Sequence, residues 1–232
     1  MTRDAWVFLF LSLLSFLSAM PLFVNTSSPY SSQRPSHASE CDALLQFNQT
    51  FTISRDASAY NCDFRNFFWA NTSYPKTASW QKGTDCCSWD GVTCHMSKDY
   101  VIGLDLSCSW LRGALHSNST LFSLRNLQRL NLAGTFPISI FHLPNLRSLA
   151  LTYNFNLTGT LPHTNWSSSP LVRLSLSYTK FHGPIPDSVG NLTSLEYLAL
   201  IDSEFTGSLP PTIGNLDRLS FLALGGINLS GT

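Results

Sequence analysis

The sequence predicts an α/β solenoid, in which a cysteine-stapled amino-terminal cap precedes about six stacked coils with a parallel sheet on their concave side. Three observations predict it. The template Leu-x-x-Leu-x-Leu-x-x with a polar ninth position starts at Val101, Leu127, Leu146, Leu171, Leu195 and Leu219, at intervals of 26, 19, 25, 24 and 24 residues. A second signature follows the strand in the regular units, as in FHGPIPDSVGNLTSL from Phe181 and FTGSLPPTIGNLDRL from Phe205. All six cysteines, Cys41, Cys62, Cys86, Cys87, Cys94 and Cys108, precede or fall within the first unit. A leucine-rich repeat of about 20 to 29 residues has this pattern, and one coil cannot bury both of its apolar faces, so neighbours must stack.

The chain opens as a secretory signal would. Met1 to Asp4 carry one basic residue and the run that follows, Ala5 to Val24, is almost wholly apolar. Such a run approaches the length of a membrane anchor, but its serines, Pro21 and the absence of basic residues after it favour a cleaved signal ending at about residue 28.

Residues 29–100 form the expected cap. Ser39 to Asp42 resembles a capping box with Asp in place of Glu, and Ala43, Leu44, Leu45, Phe47 and Phe51 give a helical apolar face. Secretion means that the thiols pair. Vicinal Cys86 and Cys87 are too close for an ordinary bridge to each other, so each reaches a different partner, and the connectivity stays open. Zinc ligation by Cys86, Cys87, Cys94 and His95 lacks the usual paired spacing. The cap is expected to cover Val101, Leu104 and Leu106 and to bury Trp80 and Trp89; Tyr60 to Tyr74 shows no periodicity.

Residues 101–232 are the repeats, the last incomplete. Leu195, Leu198 and Leu200 are expected to face inward, with Phe205, Leu209, Ile213 and Leu216 closing the convex return. The ninth position, where an Asn amide would satisfy backbone groups between coils, holds Ser109, Thr135, Asn154, Thr179, Ser203 and Ile227. Hydroxyls can do part of that work and Ile227 cannot. The short interval from Leu127 to Leu146 lacks about five convex residues, so a locally tightened coil is expected.

Composition bounds the function. Fourteen basic residues balance 14 acidic ones, and charged side chains make up 12% of the chain against about 25% in an ordinary soluble domain. Such neutrality gives no footprint for nucleic acid. Solubility must come from elsewhere, and glycans on Asn48, Asn71, Asn118, Asn156, Asn165, Asn191 and Asn228 would supply it; an eighth Asn-x-Ser/Thr at Asn25 lies beside the cleavage region.

Four segments carry a family resemblance: CDALLQFNQTFTIS, SWQKGTDCCSWDGVTC, YVIGLDLSCSWLRGAL and TLFSLRNLQRLNLAGT. With the double-Cys Trp-Asp-Gly-Val-x-Cys motif and the x-Gly-x-Ile-Pro repeats, essentially the whole chain resembles the amino-terminal part of plant leucine-rich-repeat receptor-like proteins of the disease-resistance type. The resemblance implies disulfides Cys41–Cys86 and Cys87–Cys94, leaving Cys62–Cys108, although Cys108 stands two residues earlier than is usual for the family. It implies a non-catalytic cell-surface receptor that perceives a protein or peptide ligand, microbial or endogenous, and signals through a partner receptor-like kinase. Location follows: the extracellular side of the plasma membrane for a full-length receptor, the apoplast for a chain ending at Thr232. The repeats stop inside the sixth unit, so a fragment is expected, poorly soluble alone because its open end exposes apolar edges. Alternatives are a secreted inhibitor of a cell-wall-degrading enzyme and a truncated, non-functional copy.

Strand alternation locates the candidate binding residues on the concave face. The column before the second leucine reads Gly103, Arg129, Ser148, Arg173, Tyr197 and Phe221, and the column at the strand's end reads Cys108, Gly134, Tyr153, Tyr178, Asp202 and Gly226. Arg129, Tyr153, Arg173, Tyr178, Tyr197 and Phe221 are the ligand-binding candidates, with Arg173, Tyr178, Tyr197 and Phe221 expected as one patch of residue types common at binding hot spots. Catalytic motifs are missing: there is no Gly-x-Ser-x-Gly, His-Glu-x-x-His or phosphate loop, and His37, His95, His116, His142, His163 and His182 are scattered. Asp85, Asp90 and Asp105 sit in cap and strand motifs rather than as a carboxylate pair. No metal, cofactor or catalysis is expected.

Overall fold

Leucines that recur once per coil can all be dry only if each coil closes on the next, and the computed structural model shows how they do so. It describes residues 37–55, 73–132, 138–164 and 166–230, all within one unit, Pro35–Thr232. The cap begins with α1 (His37–Asn48), followed by β1 (Thr52–Ile53), 3-10 turns at Lys76–Ser79 and Cys86–Ser88, and β2 (Val92–Cys94). The coils supply the concave strands β3 (Val101–Asp105), β5 (Arg129–Asn131), β6 (Ser148–Ala150), β8 (Arg173–Ser175), β10 (Tyr197–Ala199) and β12 (Phe221–Ala223). Strand β4 (Leu111–Arg112) pairs antiparallel with β1, tying the cap to the first coil.

The concave sheet runs β12-β10-β8-β6-β5-β3-β2, parallel throughout except for the antiparallel cap strand β2. Its register follows the template: Leu104, Leu130, Leu149, Leu174, Leu198 and Leu222 stand side by side. All but Leu222 are buried, and each fully dry leucine contributes about 1.5–3 kcal/mol relative to exposure.

A second parallel sheet was not legible in the pattern. It is formed by β7 (Thr158–Gly159), β9 (Lys180–Pro184), β11 (Glu204–Gly207) and β13 (Asn228–Leu229), in the order β13-β11-β9-β7. These strands are the start of the second signature, just before its Ile-Pro or Leu-Pro, and 3-10 turns at Asp187–Asn191 and Pro211–Asn215 follow. The two turns pack so closely that a Cβ at Gly190 would lie 2.4 Å from the Thr212 carbonyl oxygen.

The short second coil reaches its 3-10 turn, Ile138–His142, without a described strand in the second sheet. Residues 133–137, Thr135 among them, lie outside the described residues. The short interval leaves the concave ladder intact, since Arg129–Asn131 still pairs in register with Ser148–Ala150.

At the ninth position the side chains divide as their chemistry requires. Asn154 donates through Nδ2 to the Leu151 carbonyl in its own coil (2.7 Å) and to Leu132 in the coil before (2.9 Å). Thr179 and Ser203 donate only to carbonyls of their own coil, Leu176 and Leu200. Ser109 donates weakly to Ser107, at 3.3 Å. Ile227 packs half-buried against the core.

In the cap the structure corrects the helix entry. The described chain is already helical at His37, so Ser39 lies inside the first turn rather than at the N-cap. Glu40 instead turns inward, is buried, and accepts the Val101 amide at 2.7 Å, tethering α1 to the first strand. Phe51 lies beyond the helix end, packed on Phe47 with ring centroids 5.0 Å apart. Thr120 completes the contact by donating to the Ala43 carbonyl at 2.7 Å. Val101, Leu104 and Leu106 are fully covered.

Disulfides join Cys41 to Cys86 and Cys87 to Cys94. Cys108 is disulfide-bonded, while Cys62, its expected partner, lies outside the described residues, as does most of Tyr60 to Tyr74. Trp80 and Trp89 are buried and stacked at 5.4 Å, their indole N–H groups donating to the Asp90 carbonyl and to Thr84 Oγ1. Gly91 follows them at φ +81° with its Cα hydrogen against the Asp105 carbonyl, a place with no room for a Cβ. Leu209, expected to close the convex return, is exposed, whereas its counterpart Ile185 is buried. No helix among the described residues is long and apolar enough to cross a membrane.

Candidate functional site

Each concave strand is only three to five residues long, so its third template position is a short platform flanked by inward leucines. Parallel pairing lines these positions up: Gly103 beside Arg129, then Ser148, Arg173, Tyr197 and Phe221. Spacing of about 4.8 Å between strands suits stacked planar groups. The Arg173 guanidinium lies over the Tyr197 ring, 4.2 Å from its centroid. Tyr197 in turn stacks on Phe221 at 4.4 Å with planes 4° apart. Cation–π and ring stacking are worth about 0.5–2 kcal/mol each, which holds three flexible side chains in one geometry while Phe221 stays 44% exposed. Arg129, exposed, lies towards Gly103, where an added Cβ would meet its Nη2 at 3.2 Å.

The strand-end column behaves differently from the alternation argument. Cys108, Tyr153, Tyr178 and Asp202 have φ of 56, 61, 58 and 47°, and Gly226 has 73°. They sit past the strand in a left-handed turn, a conformation uncommon for bulky residues. Its cause is backbone satisfaction: the amides of Tyr153, Tyr178 and Asp202 donate to Ser177, Ile201 and Gly225, the carbonyl one position earlier in the following coil. Tyr153 and Tyr178 stack face to face at 4.6 Å, and the Phe155 ring stands nearly edge-on at 6.2 Å from Tyr178. Desolvation, and then the neighbouring Tyr178, push the Tyr153 phenol above its ordinary value. The expected single patch is thus drawn into a strand ladder, Arg173–Tyr197–Phe221, and a turn cluster, Tyr153–Tyr178–Phe155. Phe155 escaped the sequence reading because it follows the template, with no periodicity to mark it.

Elsewhere the described residues do not assemble a reaction site. His37 hydrogen-bonds Asp85 at 2.9 Å, and Asp85 also accepts the Cys87 amide. That amide first, then His37, holds the Asp85 carboxyl below its ordinary value. His37 also lies near Cys41 and Cys86, but Cys41, Cys86 and Cys87 are all in disulfides and offer no thiolate to a metal. A convex cavity of about 80 Å³ between Phe141, Pro144 and Trp166 is far below the several hundred Å³ of a small-molecule pocket. Of the glycan acceptors, Asn118, Asn156, Asn191 and Asn228 are exposed and off the concave strands, Asn48 is half-buried at the end of α1, and Asn71 and Asn165 lie outside the described residues.

Comparison with known proteins agrees with this geometry. The family described as leucine rich repeat N-terminal domain matches residues 63–95, and the Leucine Rich Repeat family matches residues 170–192. Receptor-like protein Cf-9 of Solanum pimpinellifolium is 38% identical over 252 aligned residues, covering 83% of this chain and 28% of that protein. Receptor-like protein 6 of Arabidopsis thaliana is 37% identical over 192 residues, covering 81% and 17%. Among solved structures, the ectodomain of the Arabidopsis receptor kinase HAESA, in complex with a peptide hormone ligand, superposes with a TM-score of 0.58 at 26% identity, covering 82% of this chain and 33% of that one. Pollen Receptor Kinase 3 shares the fold with a TM-score of 0.61 at 24% identity, covering 82% and 95%.

Cap and coils together make this chain a leucine-rich-repeat protein. In sequence it is similar to the amino-terminal part of plant receptor-like proteins, and it spans well under a third of the length of those it matches.

Proposed function

We propose that this chain is the extracellular recognition module of a plant cell-surface receptor-like protein. It acts without catalysis, binding a protein or peptide ligand, microbial or endogenous, on its concave face, and signals in defence or development through a partner receptor kinase. The observation that carries this reading is the Arg173–Tyr197–Phe221 ladder, three hot-spot residue types held in order on an exposed sheet with no packing duty to the core. The similarity to receptor-like proteins and to an ectodomain whose structure holds a peptide supports it. The apolar start, residues 1–28, and the glycan acceptors fit passage through the secretory pathway to the outer face of the plasma membrane.

The test uses the full chain secreted from plant cells, presented to fractionated plant and microbial culture filtrates. Saturable binding is expected to fall at least about tenfold in the triple variant R173A/Y197A/F221A and to persist in the second-sheet variant H182A/E204A. Equal binding by the triple variant would remove the concave face from the function.

A further inference from the structure

We infer that Asn156 carries a glycan whose first N-acetylglucosamine rests on the Tyr153–Tyr178–Phe155 cluster, so that a covalently attached sugar covers these exposed rings. This holds whatever the concave face binds, and it rests only on passage through the secretory pathway.

Chain length marks the place. From the left-handed residue to the glycine of the second signature there are five residue steps in the fourth coil, Tyr178 to Gly183, and five in the fifth, Asp202 to Gly207, but six in the third, Tyr153 to Gly159. The extra residue is taken up in a tight turn, closed by the Leu157 amide donating to the Asn154 carbonyl at 2.8 Å. The fourth coil passes the same point with the Phe181 amide on the Thr179 hydroxyl, at 3.3 Å. Both ends of the turn are anchored, Asn154 by its bonds to two carbonyls and Leu157 by burial in the core. Its two central residues, Phe155 and Asn156, are exposed. The acceptor sequence Asn156-Leu157-Thr158 therefore begins at the corner of a fixed surface turn, with Thr158 exposed in β7, the setting in which an Asn-x-Thr is accessible for glycosylation.

Chemistry then specifies the occupant. Tyr153 stays 38% and Phe155 40% exposed although each packs against other rings. Phe155 meets the planes of Tyr153 and Tyr178 at 54 and 64°, so the three rings form an angled apolar surface. An aromatic face is the negative part of the ring quadrupole and attracts C–H groups. N-acetylglucosamine offers axial C–H groups on its ring faces and hydroxyls around its rim, so it can cover the rings and remain hydrated. Neighbouring Cα atoms are about 3.8 Å apart, which starts the sugar beside Phe155. Such a tether makes the contact intramolecular, so it is populated even at a strength that would not hold a free sugar. Other described acceptors lack this neighbourhood: no Phe, Tyr or Trp lies within two positions of Asn118, Asn191 or Asn228, and Phe47 beside Asn48 is fully buried. In the transfer, the Asn156 amide nitrogen loses a proton and bonds C1 of the sugar, while the C1–O bond to a lipid-linked diphosphate breaks and the diphosphate keeps the electron pair.

The test uses the full chain secreted from plant cells held at high-mannose glycans, with glycopeptide mass spectrometry reading each acceptor. Asn156 is expected to be occupied in nearly every molecule, in wild type and in F155A alike. After trimming to the first N-acetylglucosamine, F155A should lower the melting temperature by about 2–4 °C, by less than half as much in the N156Q background, and by the full amount in the N118Q background, a double-mutant cycle that a merely structural Phe155 would not produce. With carbon-13-labelled sugar, ring protons of one N-acetylglucosamine should be shifted upfield by the aromatic ring currents in wild type and return to ordinary positions in F155A. An unoccupied Asn156 on a chain glycosylated elsewhere, an F155A loss of equal size in the N156Q background, or sugar protons unshifted in wild type would each overturn this inference and leave the concave reading standing. Sugar missing from every acceptor would overturn it together with the secretory reading.

Discussion

Asn154 and Glu40 show how much a single buried polar group can do in a solenoid. Asn154 serves two coils with one amide, whereas the hydroxyls of Thr179 and Ser203 serve only their own. Truncating it orphans two buried carbonyls, so Asn154→Ala should cost about 1–3 kcal/mol in a urea titration, and Ser203→Ala measurably less. Glu40 has its carboxyl held above the ordinary range by burial, partly offset by the Val101 amide. The folded state therefore binds the proton more tightly than the unfolded chain does. Stability from this group is fully present below the ordinary glutamate pKa and declines as pH rises through the elevated folded value. Glu40→Gln keeps an acceptor for Val101 and removes that titration, so the difference in melting temperature between the two proteins should change with pH over that window and be flat below it. A constant difference would count against the burial account.

At the scale of elements, the concave sheet was written plainly in the sequence and the convex one was not. Six leucines at matching positions announce an inward row, and the residue before each is forced outward by alternation, which is why Arg129, Arg173, Tyr197 and Phe221 were legible. The strands β7, β9, β11 and β13 are two to five residues long and sit among Gly and Pro, so no two-residue period could develop. Phe155 and the left-handed turn at Tyr153 and Tyr178 were hidden for a related reason: non-glycine residues at positive φ carry no compositional mark. Ser39 misled because an N-cap signal is local: the chain is already helical at His37, and the polar group that ties this turn to the first coil is Glu40. Between neighbouring 3-10 turns, Gly190→Ala would drive a Cβ into the Thr212 carbonyl, and a loss of about 1–3 kcal/mol should appear in thermal melts. In the cap, C41S/C86S should cost about 2–5 kcal/mol and raise hydrogen exchange along α1 ahead of that in the coils.

The whole molecule is held by two different systems that follow one another along the chain. Cap covalency reaches no further than Cys108, the last cysteine. From Thr158 onward, the second sheet fastens each coil to the next with a ladder of its own. Between them the short second coil has the concave ladder, its packed leucines and the Asn154 bridge. In a quasi-one-dimensional protein, where stability is a sum over neighbours, the weakest junction decides where the molecule parts. Among the described residues the second coil shows no strand of the second sheet, so a pulling or heating experiment should divide the chain there, into a crosslinked head and a doubly laddered tail. Arg129 belongs to the head and Arg173 to the tail, so these two concave-face arginines stand on opposite banks of that junction. A ligand touching both would act as a splint, and binding would be felt as stiffness well away from the atoms it contacts.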